Sequence, residues 1–547
     1  MGLETLDDIV ERYKINNSYF CQFWGVRSTY GMLPDYRNET IKQRIKELKI
    51  DMKNMEDMIQ KEKNKIPGFE KKLVFLALKS ELFNLEEIEP HKKIIGAYAE
   101  PIANIIMVYA SRSYAPIDIR IKDIISHEKA IPDFLHNGLE ILDKKLSKPV
   151  IQMGIGFLTG INSFLKEDLG KIVNTSSNTE LKKEWEQVNN QAMDAINNFI
   201  KELKENYLPN STNEFRLGEK QFLQLLEVTE GVKVTTDQLL AIAEKDLETN
   251  FSAMQELLKN EKETILDEMN KDYPNASNLL EECQNIVNET KKYLKKSNLL
   301  TLPTDEDCKV VETPTFRRSF SIASMNLPGL AEPSEGKETF YYITPPDSSW
   351  NAEQRTNFMK NFARGSLHVT TIHEVFPGHF VQGLYFQNEI KSPIVRLFSF
   401  SVSMIEGWAH YGEELIVNNG YDRYDKTKVK IGQLLGALKR NVRFICAVKM
   451  HCMNMTVEEA KELFKDKAYL SEESANMEAM RGTVDPLYLN YTLGKLFIKK
   501  LKEDVKKEKG KKFKEKEFHD SILKLGAPPI PLLREFLLKK TSIDEYL

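Results

Sequence analysis

The sequence predicts a mainly α-helical protein that contains one small β-sheet. Long charged segments carry apolar residues three and four positions apart, which is the spacing of one helix face. Two of these segments begin with a capping hydroxyl followed by early acids, at Thr235 and at Thr456. The predicted helical segments are residues 39–63, 69–87, 178–206, 235–270, 278–297 and 456–473.

The small sheet is predicted for the one stretch that breaks the helical pattern, at about residues 309–346. Seven proline and glycine residues interrupt this stretch and leave two short runs, residues 316–326 and 339–344, that favour strands. The sheet therefore comes shortly before a histidine-rich segment along the chain.

The chain has 547 residues, which is too many for one small core, so more than one lobe is expected. A polar stretch at residues 207–213, which contains Pro209, separates two helical regions. We predict an N-terminal helical lobe at residues 1–210 and a second helical lobe at residues 211–547, with a cleft between them.

Composition excludes several classes of partner. The formal net charge is −4, and the lysine-rich run at 502–516 is interleaved with acids, so a nucleic-acid face is not expected. The most apolar window, about residues 150–165, is shorter than a spanning helix and predicts a buried helix. Five scattered cysteines without a CxxC pair, and an acidic start without a signal peptide, predict a cytoplasmic protein with no membrane partner.

Chemistry is indicated by the histidines, because five of the nine fall within residues 368–451. His373 is followed at once by Glu374. Hydrolytic zinc takes three imidazole or carboxylate ligands and makes water acidic enough for an adjacent carboxylate to deprotonate. A His-Glu pair on one helix can supply both a ligand and that base.

The spacing to the next histidine departs from the common HExxH arrangement. Pro377 stands where the second histidine is expected, and His379 follows two residues later. Six residues on an ideal helix turn through about 600°, which would leave His379 about 120° away from His373. Pro377 and Gly378 could form a local bulge that extrudes two residues and restores the facing of His379.

A second segment, at residues 403–414, supplies further candidates. A helix there places Glu406, His410, Glu413 and Glu414 on roughly one side. Glu406 lies among apolar neighbours, where a carboxylate is costly to bury without a partner. That partner can be a metal ion or, alternatively, a plain salt bridge.

Together the two segments, HExxPGH at 373–379 and EGWAxY at 406–411, resemble a large prokaryotic family catalogued as a domain of unknown function. That family is regarded as a relative of the gluzincin metallopeptidases, the clan of thimet oligopeptidase and angiotensin-converting enzyme. The resemblance implies a gluzincin-like fold, with His373, His379 and Glu406 as Zn²⁺ ligands and Glu374 as general base. In that clan an edge strand pairs with the substrate backbone, and residues 339–344 are the expected strand.

Donors that stabilise the transition state are the next candidates, because a tetrahedral intermediate needs hydrogen-bond donors aimed at its oxyanion. Four residues are predicted for this role, in the order Tyr491, His451, Arg481 and Tyr488. A core or capping hydrogen bond is the alternative for each of them. Three other histidines carry weaker expectations: His410 beside Glu406 or on the surface, His368 as a competing ligand, and His519 in a structural role.

Three functions remain open at this point. The first is a zinc peptidase that acts on short peptides with metal-activated water. The second is a zinc hydrolase of a non-peptide amide or an amino-acid conjugate. The third is a metal-free helical binding protein, against which the intact Glu374 argues.

Overall fold

The computed structural model describes residues 5–61, 66–260, 264–314, 318, 321–332 and 338–539. As predicted, it is mainly helical with a small three-stranded sheet. The chain forms two compact units, one of Met1–Phe215 with Pro328–Lys337 and one of Arg216–Leu327 with Glu338–Leu547.

Within its described residues the first unit is helical apart from one isolated β-bridge, between Ser147 and Thr212. Its 25-residue helix Ile117–Ile141 packs against Gly96–Ser111 and Thr179–Glu202. Short 3₁₀ or π turns extend or link several helices of the unit. Its helices are α1 Leu6–Asn16, α2 Ser18–Phe23, α3 Asn38–Lys61, α4 Ile66–Phe83, α5 Pro90–Lys93, α6 Gly96–Ser111, α7 Ile117–Ile141, α8 Lys148–Glu167, α9 Leu169–Val173 and α10 Thr179–Glu202.

The second unit contains the sheet and the histidine-rich segment. Its elements before that segment are α11 Glu219–Glu230, α12 Thr236–Asn260, α13 Ile265–Lys271, α14 Leu279–Ser297, β1 Lys309–Glu312, β2 Ala323–Asn326, β3 Phe340–Ile343 and α15 Ala352–Met359. The remaining helices are α16 Arg364–Glu374, α17 His379–Asn388, α18 Pro393–Phe398, α19 Val402–Asn418, α20 Lys426–Cys452, α21 Val457–Ala468, α22 Glu472–Gly482, α23 Asn490–Lys509, α24 Glu515–Leu523 and α25 Ile530–Leu538.

The helix starts read from the sequence are confirmed. The Thr235 hydroxyl accepts a hydrogen bond from the amide of Gln238, and Thr456 forms a reciprocal capping box with Glu459. The segment predicted at 456–473 is instead two helices, because Tyr469 adopts a left-handed conformation with φ 57° and ends α21. The apolar window at 150–165 lies inside α8, as predicted.

No single described helix is both long and apolar enough to cross a membrane. One pair, Gly68–Lys93 with Gly96–Ser111, meets the length and composition test jointly across a bend of 89°.

The sheet has the strand order β1-β3-β2, with β1 parallel and β2 antiparallel to β3. The strand predicted at 339–344 is confirmed as β3, and β1 was not predicted. In the run predicted at 316–326, only residues 323–326 form a strand, and residues 316, 317, 319 and 320 lie outside the described part. The expectation that residues 339–344 form an edge strand is wrong, because β1 and β2 occupy both hydrogen-bonding sides of β3.

Helices α19 and α23 approach until their backbones touch. A Cβ built on Gly494 would lie 1.8 Å from the carbonyl oxygen of Ser403, and one built on Gly407 would lie 2.5 Å from the carbonyl carbon of Gly494. Neither position therefore has room for a side chain. This contact sets how closely Glu406 and Tyr491 approach each other. Glu406 directly precedes Gly407 on α19, and Tyr491 lies one turn before Gly494 on α23.

Gly494→Ala should destabilise the fold, because its methyl group must push α19 and α23 apart. Overpacking of this kind costs about 1–3 kcal/mol of the free energy of unfolding. Urea unfolding followed by circular dichroism measures the change. Gly156→Ala is the matched control, since Gly156 is an exposed helical glycine with no atom within 4 Å of its Cβ position. That control should be neutral or stabilising by about 0.5–1 kcal/mol, and equal stability of Gly494→Ala and wild type would contradict the packing account.

Candidate metal centre

The histidine-rich segment consists of two helices separated by a short break. Helix α16 ends at Glu374, and α17 begins at His379. Across the break, the amide of Gly378 donates to the carbonyl of Ile372 at 3.1 Å, in the position that residue 376 would fill in a continuous helix. Two residues are therefore looped out, and His379 takes the place one turn after His373.

Two contacts, one at Gly378 and one at Pro377, stabilise the break between α16 and α17. A Cβ on Gly378 would lie 1.6 Å from the carbonyl oxygen of His373, so only glycine fits there. The carbonyl of Pro377, which follows a cis peptide bond, accepts a hydrogen bond of 2.8 Å from the indole of the buried Trp408. Because Trp408 lies on α19 two residues after Glu406, the same helix supplies a carboxylate and anchors the loop.

Three side chains converge at this point. Ligand atoms of His373, His379 and Glu406 all lie within 4.8 Å of one another. Oε2 of Glu406 is 3.4 Å from Nε2 of His373 and 3.6 Å from Nε2 of His379. Tetrahedral zinc with bonds of about 2.0–2.1 Å separates its ligand atoms by about 3.3 Å. The two distances from Glu406 are therefore close to that spacing, and the two imidazole nitrogens lie within 4.8 Å of each other.

The Glu406 carboxylate supports a cation at this point. Its Oε2 is buried and makes no hydrogen bond of acceptable geometry with any described residue. Burial alone would raise the pKa of Glu406, but His379 and His373 hold it well below its usual value. A buried oxygen that faces two imidazole nitrogens has the chemistry to hold a divalent cation.

His373 is oriented by a second carboxylate, that of Glu413 on α19. Nδ1 of His373 lies 2.7 Å from Oε1 of Glu413, which leaves Nε2 free to face the centre. The Arg440 guanidinium bonds both oxygens of Glu413, at 3.0 and 3.1 Å. Burial alone would raise the pKa of Glu413, but Arg440 and His373 hold it well below the usual range.

His379 has a weaker orienting contact. Its Nδ1 lies 3.4 Å from the side-chain oxygen of Gln382, one turn on in α17. Gln382 is itself held by a bond of 3.3 Å to the carbonyl of Met404 in α19. Both imidazoles are therefore oriented, directly or through one residue, by α19.

Glu374 lies beside the three ligands but outside their set. Its Oε2 accepts a hydrogen bond of 3.0 Å from the amide of Met325 on β2. Burial raises the pKa of Glu374, and His379 and His373 oppose that rise. The carboxylate is thus held near the centre by the edge strand and has the raised pKa of a proton acceptor.

Of the four predicted donors, Tyr491 neighbours Glu406, and Arg481 contacts Tyr491 while pairing with Asp485 at 2.7 Å. Burial and then the neighbouring Glu406 carboxylate raise the pKa of Tyr491, which also shares a hydrogen bond with Arg481. The Arg481 guanidinium carbon lies 5.9 Å from the centre of the Tyr491 ring.

The other two predicted donors, His451 and Tyr488, make their described contacts with other residues. Nε2 of His451 lies 2.9 Å from the carbonyl oxygen of Gly482, its Nδ1 accepts from the amide of Leu217 at 3.4 Å, and its ring stacks on Phe222. Tyr488 is fully buried, and its hydroxyl lies against Gly482. Their described contacts give no support for the predicted role of either residue at the metal.

The remaining histidines are also placed. His410 is buried, with Nδ1 3.4 Å from Glu413, so it is not a surface residue. His368 bonds Tyr421 at 2.8 Å and is outside the ligand set. His519 bonds Tyr411 and the carbonyl of Leu299, in agreement with a structural role.

Sequence reasoning did not assign the residues that support the ligands. Glu413 follows Glu406 by seven residues, or two helical turns, and that spacing is the signal that could have identified it. Arg440 and the amide of Met325 carry no local signal, because they reach the centre only through tertiary packing.

Fold and site together define a mainly helical protein with a two-histidine, one-glutamate candidate metal centre. The chain belongs to the family described as bacterial proteins of unknown function, DUF885, which matches residues 20–537. No curated protein matches the chain.

Two solved structures share the fold. One is a protein of unknown function from Shewanella oneidensis, provisionally named a lipoprotein, with 20% identity, a TM-score of 0.78 and coverage of 97% of this chain and 98% of that chain. The other, from Colwellia psychrerythraea and also provisionally named a lipoprotein, has 18% identity, a TM-score of 0.78 and 97% coverage of both chains.

Glu413→Gln should weaken zinc binding by about 10- to 100-fold, because the carboxylate that orients His373 loses its charge. Competition with a chromophoric chelator measures the affinity. Glu414→Gln is the matched control, since this neighbour on α19 pairs with Lys499 at 2.6 Å instead of a ligand. Equal affinities in the two variants would show that Glu413 does not support the metal.

Proposed function

We propose that the protein is a zinc-dependent hydrolase that cleaves peptide bonds of short peptides, related to the gluzincin metallopeptidases. His373, His379 and Glu406 would hold the zinc ion. The observation that carries the proposal is the convergence of these three ligand atoms within 4.8 Å beside a fourth group, Glu374, that is not a ligand. A purely structural zinc site would be closed by a fourth protein ligand.

Glu374 is the proposed general base. A bound zinc ion supplies a Lewis acid that lowers the pKa of water and polarises a carbonyl. Glu374 takes the proton from the attacking water and delivers it to the leaving amine. Its raised pKa, which burial causes, favours both the uptake and the later release of that proton.

Tyr491 and Arg481 are the proposed donors to the oxyanion. Tyr491 lies next to Glu406 and shares a hydrogen bond with Arg481, so the guanidinium can orient the phenol towards the ligand set. Donors placed in advance at the point where charge develops lower the barrier most effectively.

The substrate backbone is proposed to lie along β2. The amide of Met325 points away from β3, towards Glu374, so this side of the sheet faces the proposed base. An extended peptide added to this edge would place its backbone near Glu374. Strand β2 therefore takes the role that the sequence had assigned to residues 339–344.

Two alternatives remain. A zinc hydrolase of a non-peptide amide would use the same residues, and a metal-free binding protein would use none of them. The compartment is also a proposal: the cysteine usage favours the cytoplasm, whereas the names of the two structural relatives favour an anchored or exported protein.

Glu374→Gln should retain zinc but lower kcat by at least about 100-fold, because amide nitrogen and oxygen cannot accept and return the proton. Zinc content by mass spectrometry and digestion of a peptide library by zinc-loaded protein give the two readouts.

Glu389→Gln is the matched control, since Glu389 is an exposed carboxylate at the end of α17 and should leave both readouts unchanged. Full activity of Glu374→Gln would remove it as the base. Failure of the wild-type protein to cleave any peptide, despite bound zinc, would favour a non-peptide substrate.

A further inference from the structure

One cation near the candidate metal centre, Lys439, has no described carboxylate within ion-pair distance. Lys439 lies on α20 directly before Arg440, whose guanidinium bonds Glu413. Lys439 is only partly exposed, and it makes no hydrogen bond or ion pair with any other residue that the structure describes. Removing an ammonium group from water is unfavourable unless an anion compensates for the lost hydration.

Lys439 lies on the face of α20 that borders Glu413 and Tyr491. Gly436, Lys439 and Arg443 are spaced by three and four residues, so they share one helix face. At one end of this face, a Cβ on Gly436 would lie 3.7 Å from Oε2 of Glu413. At the other end, the Arg443 guanidinium carbon lies 5.2 Å from the centre of the Tyr491 ring. The Lys439 side chain therefore leaves α20 between Glu413, which orients His373, and Tyr491, which neighbours Glu406.

The other cations around Tyr491 are compensated. The three guanidinium groups that approach its ring are those of Arg440, Arg443 and Arg481. Each has a carboxylate of its own: Glu413 at 3.0 Å, Glu478 at 2.6 Å and Asp485 at 2.7 Å. Among these described groups, one positive charge is left over, that of Lys439.

The pKa of Lys439 agrees with a site that would bind an anion. Burial and the neighbouring Arg443 lower the pKa of Lys439 to about 8, and Glu478 and Glu413 offset this only in part. The ammonium is still mostly protonated at neutral pH. An arriving carboxylate would stabilise its charge at closer range than Glu478 and Glu413, neither of which forms an ion pair with it.

Resting on the proposed peptidase function, we propose that Lys439 binds a carboxylate of the peptide substrate beside the metal centre. The carboxylate is either the free carboxy-terminus or an acidic side chain near the scissile bond. Both have the same chemistry, a planar anion that accepts charge-assisted hydrogen bonds. Lys439 is thus a specificity-determining residue, and the substrate class is a peptide with a negative charge close to the cleaved bond.

Binding to the zinc-loaded Glu374→Gln protein tests this without turnover. The probes are alanine tetrapeptides with a free or an amidated carboxy-terminus, and amidated tetrapeptides that contain one glutamate or one glutamine. Calorimetry should show at least a roughly tenfold preference for the charged member of one pair, the effect of one charge-assisted hydrogen bond. The pair that shows the preference identifies the source of the carboxylate.

Adding Lys439→Met should abolish that preference while the affinity for the uncharged peptide stays the same. Methionine retains the apolar stem and removes the repulsion by Arg443, so thermal stability should not fall; Lys439→Gln serves as a second variant. Lys449→Met on the same helix is the matched control, since Lys449 pairs with Glu244 at 3.1 Å. It should retain the preference.

A preference that survives in both Lys439 variants, or peptide binding without any charge preference, would overturn the role of Lys439 and leave the peptidase function intact. Failure of every tetrapeptide to bind to the zinc-loaded protein would overturn both proposals together.

Discussion

A buried carboxylate is the constraint on which the arrangement of the second unit depends. The Oε2 atom of Glu406 is buried and faces the imidazoles of His373 and His379, which hold the pKa of this carboxyl well below its usual value. An unpaired buried charge costs several kcal/mol, so the surrounding structure must supply positive charge at this one point. Two imidazoles supply it in part, and a divalent cation completes it.

The fold meets this constraint with two local devices. Gly378 closes the break between α16 and α17, which turns His379 back towards His373. Gly407 and Gly494 let α19 and α23 touch, which places Glu406 beside Tyr491. Each device needs a glycine, because any side chain would enter neighbouring backbone. Helix α19 links both devices, since it carries Glu406, Glu413 and Trp408 within eight residues.

Much of this could be predicted from the sequence, and the limits have physical causes. Helix starts with capping residues were predicted closely, because those signals are local, but the segments predicted at 235–270 and 456–473 are two helices each. The convergence of His373, His379 and Glu406 agrees with the ligand set that the family resemblance implied, and the looped-out residues agree with the bulge expected from Pro377 and Gly378. Strand order was not predictable, since β1 pairs with β3 across about thirty residues of sequence. For the same reason no local pattern indicates the contact of Met325 with Glu374 or of Arg440 with Glu413.

The predicted oxyanion donors also show that tertiary contacts could not be predicted from the sequence. The sequence ranks Tyr491 before His451, although both can donate a hydrogen bond. Tertiary contacts separate them: Tyr491 lies beside Glu406, whereas both nitrogens of His451 have backbone partners. A residue type indicates which chemistry is available, and packing decides whether it reaches the metal.

The zinc content of protein purified without a chelator tests the central claim most directly. We expect about one equivalent of zinc per chain in the wild-type protein and almost none in Glu406→Ala, with Glu414→Ala indistinguishable from wild type. Less than about a tenth of an equivalent in the wild-type protein, or unchanged zinc in Glu406→Ala, would contradict the assignment of His373, His379 and Glu406 as a metal centre.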